Sequence, residues 1–186
     1  MFLGTPTNVY RVGQMSGDSQ YGAWNTTEMI SLIICKGGGE LGQMPNDGLD
    51  IDWIPVDIAA AAIAEISLQD YDENDHVHHI INPNVSHWST FLQDLQKAGL
   101  QFEIVTFEQW VDNVLKSNTA LVKLSSFFNT VFTSKADFLA SKYDTTKTKA
   151  RARSMQTCPP FNVELIRKHL TFWYNIGFLT DNYQEN

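Results

Sequence analysis

The chain has 186 residues, with 13 Lys and Arg against 21 Asp and Glu, so its formal charge is −8. Apolar residues make up 43% and aromatics 12%, enough to bury a core and to exclude wholesale disorder. The acidic balance argues against a nucleic-acid binder, which needs clustered Lys and Arg to neutralise phosphates. No apolar run approaches the roughly 20 residues needed to span a bilayer, and no basic leader precedes an apolar segment. Cys35 and Cys158 can form at most one bridge, and their contexts are those of reduced thiols. These bounds describe a soluble, cytoplasmic, globular protein.

In chain order, Asn8-Val9-Tyr10-Arg11-Val12-Gly13 reads as a buried strand, from its β-branched and aromatic content. Gly13 and Gly17 bracket a loop, Gln14-Met15-Ser16, of the kind that lets backbone approach a ligand. Asn25 as N-cap and Glu28 at N3 predict a helix over 26–36 that stops at Gly37. A polar loop, 37–52, follows. Trp53-Ile54-Pro55-Val56 is short and extended, and Asp57 is expected to cap an Ala-rich helix over 58–67. After an acidic turn, Val77 to Ile81 form a strand, ended by Asn82-Pro83-Asn84.

Helical spacing of Trp88, Phe91, Leu92 and Leu95 predicts a helix over 86–98. A short strand at 102–105 leads to a capping box of Thr106 and Gln109, with a helix to about Lys116. Residues 121–132 are expected to form a buried helix, and 161–176 a last helix closed by Gly177. Alternating strands and helices, followed by helices, give an α/β class.

Several constellations invite chemistry. His76, His78, His79 and His87 raise a metal site, but no Cys or carboxylate completes a tetrahedral set, so structural histidines are expected. The run Gly37-Gly38-Gly39 follows a helix rather than a strand, which makes it a helix stop and not a phosphate loop. Tyr143 and Lys147 have the Tyr-x-x-x-Lys spacing of an acid–base pair. The residues between them suit a cap, and the pair comes after the strands, so it reads as a decoy. Arg11, inside a strand expected to be buried, calls for a carboxylate partner or an anionic ligand. Lys147, Lys149, Arg151 and Arg153 form a basic stretch that reads as a solvated segment.

Taken in order, these segments resemble the thioester reductase domains of nonribosomal peptide synthetases and fungal adenylate-forming reductases, members of the extended short-chain dehydrogenase class. The resemblance rests on Val9 to Asp18, Trp24-Asn25, Trp53 to Asp57, His79 to Pro83, Tyr143 to Lys147 and Pro159-Pro160. It implies the carboxyl-terminal portion of a Rossmann-like fold: residual strands and crossover helices over 1–85, a mainly helical substrate-binding lobe over 86–180, and a tail over 181–186. Such domains reduce an acyl or peptidyl thioester on a carrier protein's phosphopantetheine arm to an aldehyde or alcohol, using NADPH or less often NADH. Their Gly-x-x-Gly-x-x-Gly and Ser/Thr, Tyr and Lys catalytic residues lie upstream of the segment matched by Arg11 to Gln14, so this chain is expected to be inactive alone. The resemblance places the Gly13 and Gln14 backbone toward the nicotinamide. It places Arg11, Gln14, Met15, Trp24 and Asn25 on the substrate side. The alternative expectation is a non-catalytic module that binds a carrier protein or a partner reductase chain. A strand left open at its edges is expected to make the isolated chain self-associate.

Overall fold

The computed structural model describes residues 5–124 and 143–184. Strands β1 (Val9–Val12), β2 (Met15–Ser16), β3 (Gln43–Pro45), β4 (Ile54–Pro55), β5 (Val77–Ile80) and β6 (Glu103–Val105) pair in twos, and each pair is parallel. β1 pairs with β5, β2 with β4 and β3 with β6. Parallel partners need a crossover between them, and helices supply it. The helices are α1 (Met29–Leu32), α2 (Val56–Ser67), α3 (Trp88–Lys97), α4 (Phe107–Lys116), α5 (Thr146–Arg151), α6 (Arg153–Gln156) and α7 (Val163–Asn175). Together they give the mixed α/β architecture that the strand and helix order implied.

Two apolar cores form. In the smaller one, α2 turns Ala59, Ala62 and Ile66 toward Ile80 of β5 and toward Ala152, Met155 and Cys158 around α6. The small alanine side chains let the helices approach closely. The larger core gathers Trp24, Trp53, Phe91, Phe161 and Trp173 with aliphatic residues from α1, α3, α4 and α7. The cores interleave the two regions expected on either side of residue 85. Residues 146–156 pack on α2, while β3 joins β6. Residues 181–184 are docked: Asn182 O accepts from Gln101 N at 2.6 Å, and Gln184 N donates to Gly99 O at 3.0 Å.

Four local expectations are corrected. β1 is not a buried strand: Val9 and Val12 are 42% and 41% exposed, because among the described residues β1 pairs on one side only. The helix expected to stop at Gly37 continues as a π-helix, Ile33–Leu41, and ends at Gly42 with φ +68°. Gly38 and Gly39 are buried in it against Leu100 and Leu179, so tertiary packing overrides their local tendency to break a helix. Asp57 does not cap α2. Pro55 holds that position without a side-chain cap, and Asp57 lies in the first turn. Nor does Asn25 cap a helix beginning at residue 26: α1 begins at Met29 with Glu28 in the N-cap position and no side-chain cap bond, while Asn25 Oδ1 serves a turn through Thr27.

In several other elements spacing and structure agree. Thr106 and Gln109 form the capping box, and α3 and α7 end before Gly99 and Gly177, both at positive φ. The helix expected over 121–132 is described only at its start, as a 3-10 turn Ala120–Leu124, and its remainder lies outside the described residues.

Candidate functional site

The carboxyl ends of parallel strands are where α/β folds bind ligands, because loops and helix starts converge there. In this chain β1 ends at Val12, and Gly13 and Gln14 lead into β2 beside β4. Gln14 O accepts from Ile54 N at 3.0 Å, and the Gln14 side chain folds back to Met15 O at 2.8 Å. Both Gln14 and Met15 are exposed at this edge.

The other expected site residues lie in different surroundings. Tyr10 bonds Ser67 at 2.7 Å, so the next residue, Arg11, falls on the face turned away from α2. Arg11 is exposed there, with Nη1 3.4 Å from His79 Nε2 and, among the described residues, no carboxylate partner. Asn25 is exposed, and its Oδ1 accepts from Thr27 N and Oγ1, both at 3.0 Å. Trp24 is only 4% exposed. Its indole stacks on Trp173 with centroids 5.3 Å apart and donates to Glu28 Oε2 at 3.0 Å. The space around Trp24, Phe161, His169 and Trp173 has no room for a water molecule.

His169 completes this cluster. Its Nδ1 donates to Gly22 O at 2.9 Å, and burial pulls its pKa down to about 4, so the ring stays neutral. His78 is likewise buried, stacked on Tyr10 at 5.7 Å, and burial lowers its pKa.

The remaining histidines point to separate partners: His76 to Glu73 O, His79 to Asp144 O and His87 to Asp50. Among the described residues no group of three or more His, Cys, Asp or Glu could hold a metal ion. Lys147 is 3.7 Å from Asp75, and Tyr143 packs edge-on against His79, so the pair is not arranged as one acid–base unit. The basic stretch is largely engaged. Arg151 bonds Gln69 Oε1, Asp75 O and Asp70 O at 2.9 to 3.1 Å, which pins the acidic turn. Cys35 and Cys158 are free and buried, and burial raises both thiol pKa values, that of Cys158 to about 11.

Sequence reasoning missed one cluster beside the strand ends. The Asp57 carboxylate accepts from Ser19 N at 2.9 Å and Ser19 Oγ at 2.6 Å, and Lys168 Nζ donates to Ser19 O at 2.8 Å. A cleft of about 480 Å³ adjoins it, lined in part by Ser19, Gln20, Pro159, Asn162 and Lys168. No local spacing announces the partnership, since Asp57 and Lys168 lie 38 and 149 positions from Ser19. By contrast, three segments that carried the resemblance do meet. Asn82 Nδ2 donates to Trp53 O and Pro159 O, at 3.1 and 2.9 Å, tying the Trp-Ile-Pro-Val strand to the Asn-Pro-Asn turn and the Pro-Pro pair.

A nicotinamide dinucleotide fits the described residues only in part. Gly13 and Gln14 offer a backbone edge at the end of a strand. Gly13 N, however, is already bonded to Ile80 O at 3.0 Å, and a Cβ there would meet Ile81 at 2.9 Å, so this glycine serves strand packing. The run Gly37–Gly39 is buried inside a helix and cradles no pyrophosphate.

The family model for male sterility protein, of the NAD_binding_4 type, matches residues 2–63. A non-ribosomal peptide synthetase of Acremonium egyptiacum is 30% identical over 176 residues, covering 91% of this chain and 16% of that protein. A linear gramicidin synthase of Brevibacillus parabrevis is 28% identical over 184 residues, 95% of this chain and 4% of its own length. The chain thus spans a small part of these curated relatives. The crystal structure of the terminal R domain from the myxalamid PKS-NRPS pathway superposes with a TM-score of 0.78 at 22% identity, over 96% of this chain and 46% of that one. In sequence along nearly its whole length, and in fold, the chain resembles the carboxyl-terminal part of a thioester reductase domain of the extended short-chain dehydrogenase class.

Proposed function

We propose that these residues form the carboxyl-terminal, substrate-binding part of an NAD(P)H-dependent thioester reductase. It releases a carrier-bound acyl or peptidyl thioester as an aldehyde or alcohol in the cytoplasm, and the 186-residue chain alone does not perform the reduction. One observation carries this reading: Gln14 and Met15 are exposed where the chain leaves the carboxyl end of the β1–β5 pair and enters β2 beside β4. The similarity to non-ribosomal peptide synthetases supports a thioester held on a carrier protein's phosphopantetheine arm as the substrate of this reading.

In this reading the Gly13 and Gln14 backbone faces the nicotinamide of the cofactor, NADPH. Gln14, Met15 and Asn25 contact the thioester arm, with Trp24 supporting Asn25 from the core. Arg11, exposed beside His79, meets the acyl or peptidyl end. No reaction step is assigned to these residues, because the described ones hold only an edge of the dinucleotide.

The test is titration of the purified chain with an S-acyl pantetheine thioester and with NADPH, followed by calorimetry, alongside a reduction assay. The expected result is thioester binding, little or no NADPH binding, and no turnover. Turnover by this chain, or no thioester binding, overturns the reading. The edge of β1 that has no partner strand among the described residues also favours a second reading, in which a partner reductase chain docks there. Pull-down with such a chain and with a carrier protein separates the two.

A further inference from the structure

The segment from Asp18 to Gly22 has no regular structure, and its two outermost side chains, Gln20 and Tyr21, are exposed, Tyr21 by 80%. A loop with no apolar side chain in a core is ordinarily mobile. Three elements nonetheless hold this one. Within the loop, Asp18 Oδ1 accepts from Gln20 N and Tyr21 N, at 2.9 and 2.6 Å. From α2, Asp57 uses both carboxylate oxygens on Ser19. From α7, Lys168 bonds Ser19 O and His169 bonds Gly22 O. Gly22, at φ +74°, lies so close to α7 that a Cβ would come within 2.2 Å of Lys168 O, so only glycine fits.

The placement of Asp57 is informative. A carboxylate in the first turn of a helix ordinarily serves that helix's own free N–H groups. Here α2 has no side-chain cap, and the carboxylate is committed to a residue 38 positions upstream. Lys168, on an exposed helix face, commits an ammonium hydrogen to the same residue. The segment just before this loop is Gln14-Met15-Ser16, the exposed edge described above.

We propose that Asp57 and Lys168 are positioning residues for that edge. They grip Ser19 from two helices, at its N–H and hydroxyl and at its carbonyl, and so hold Gln14 and Met15 in one orientation before ligand arrives, which spares binding the entropy of ordering the loop. The proposal rests on the function assigned above.

The test compares wild type, Asp57→Asn, Lys168→Met and Lys168→Arg in the 186-residue chain. It measures affinity for an S-acyl pantetheine thioester and hydrogen exchange of the Ser19 amide. Lys168→Met and Asp57→Asn are expected to speed exchange at Ser19 and to weaken binding about fivefold, the effect of one net hydrogen bond. Lys168→Arg keeps a donor for Ser19 O and is expected to restore most of the affinity, which a purely structural role of α7 would not require. If wild type binds and both disruptive variants bind equally well, the positioning role is overturned while the functional reading stands. If wild type itself does not bind, the functional reading falls first and the positioning role falls with it. Should Asp57→Asn fail to fold, the two Lys168 variants decide the matter, since that side chain is exposed.

Discussion

Around Trp24, buried rings from distant parts of the chain close on one another: Trp53, Phe161, His169 and Trp173 all lie within about 6 Å of its ring centroid. Around Ile80 the apolar set is smaller, and Val9 and Val12 of β1 are more than 40% exposed. The smaller layer is held by polar clamps as much as by burial. Arg151 grips the acidic turn, Glu65 accepts from Ser154 N at 3.1 Å, and Tyr10 bonds Ser67. Where a layer lacks apolar area, directional bonds fix its geometry, and each is individually modest. The aromatic body should therefore fail through lost packing, and the strand layer through lost polar contacts.

Trp173→Ala is the largest expected blow to the aromatic body. Trp173 is fully buried and donates to Trp24 O at 3.1 Å, and its loss should cost about 4 kcal/mol. Urea denaturation measures the cost; a loss no larger than that of a surface substitution would mean the cluster is not the main core.

Acid should attack the same body next. Burial holds the folded pKa of His169 at about 4, below the ordinary 6.5. As pH falls from 6.5 toward 4, the unfolded chain takes up a proton that the folded chain refuses, so stability declines across that window and this contribution levels off below it. The loss attributable to His169 is about 3 kcal/mol. Denaturation midpoints from pH 7.5 to 4, for wild type and for His169→Gln, should show a shallower slope in the variant. Parallel slopes would mean that His169 is not the group responsible.

In the strand layer the critical side chain is Arg151. Arg151→Ala removes three hydrogen bonds to residues 69–75 and should cost about 2 kcal/mol. Amide exchange should rise selectively at residues 69–75. A rise spread over both cores would show that the layers unfold as one unit.

These contrasts track what was legible in the residues. The Thr106–Gln109 capping box, the helical spacing of Trp88, Phe91, Leu92 and Leu95, and the β5 strand are local signals, and the folded chain contains them. The continuation through Gly37–Gly39 was not legible, because local entropy argues for a stop there and only Leu100 and Leu179 argue against it. β3 was missed for a similar reason: Gln43-Met44-Pro45 has little strand character, and its pairing depends on β6, 60 positions away in sequence. At the candidate site, the Gln14–Met15 loop could be read from its flanking glycines. The grip on Ser19 could not, since the obvious local duty of Asp57 was to cap its own helix.

The exposed β1 strand provides the smallest change in stability and the clearest change in behaviour. Val9 is 42% exposed on the face shared with Arg11, and β1 carries an unpaired edge among the described residues. An apolar side chain on such an edge favours pairing with another chain, and a charged one opposes it. Val9→Glu places a carboxylate near Arg11, so the folded chain should change in stability by no more than about 0.5 kcal/mol. Sedimentation over a range of concentrations should show self-association in the wild type and a shift toward monomer in the variant. A wild-type chain that stays monomeric throughout would mean the exposed strand is already balanced by the polar residues Arg11 and His79. The contrast between a closed aromatic body and an adhesive strand layer would then give way to two bodies that are both self-contained.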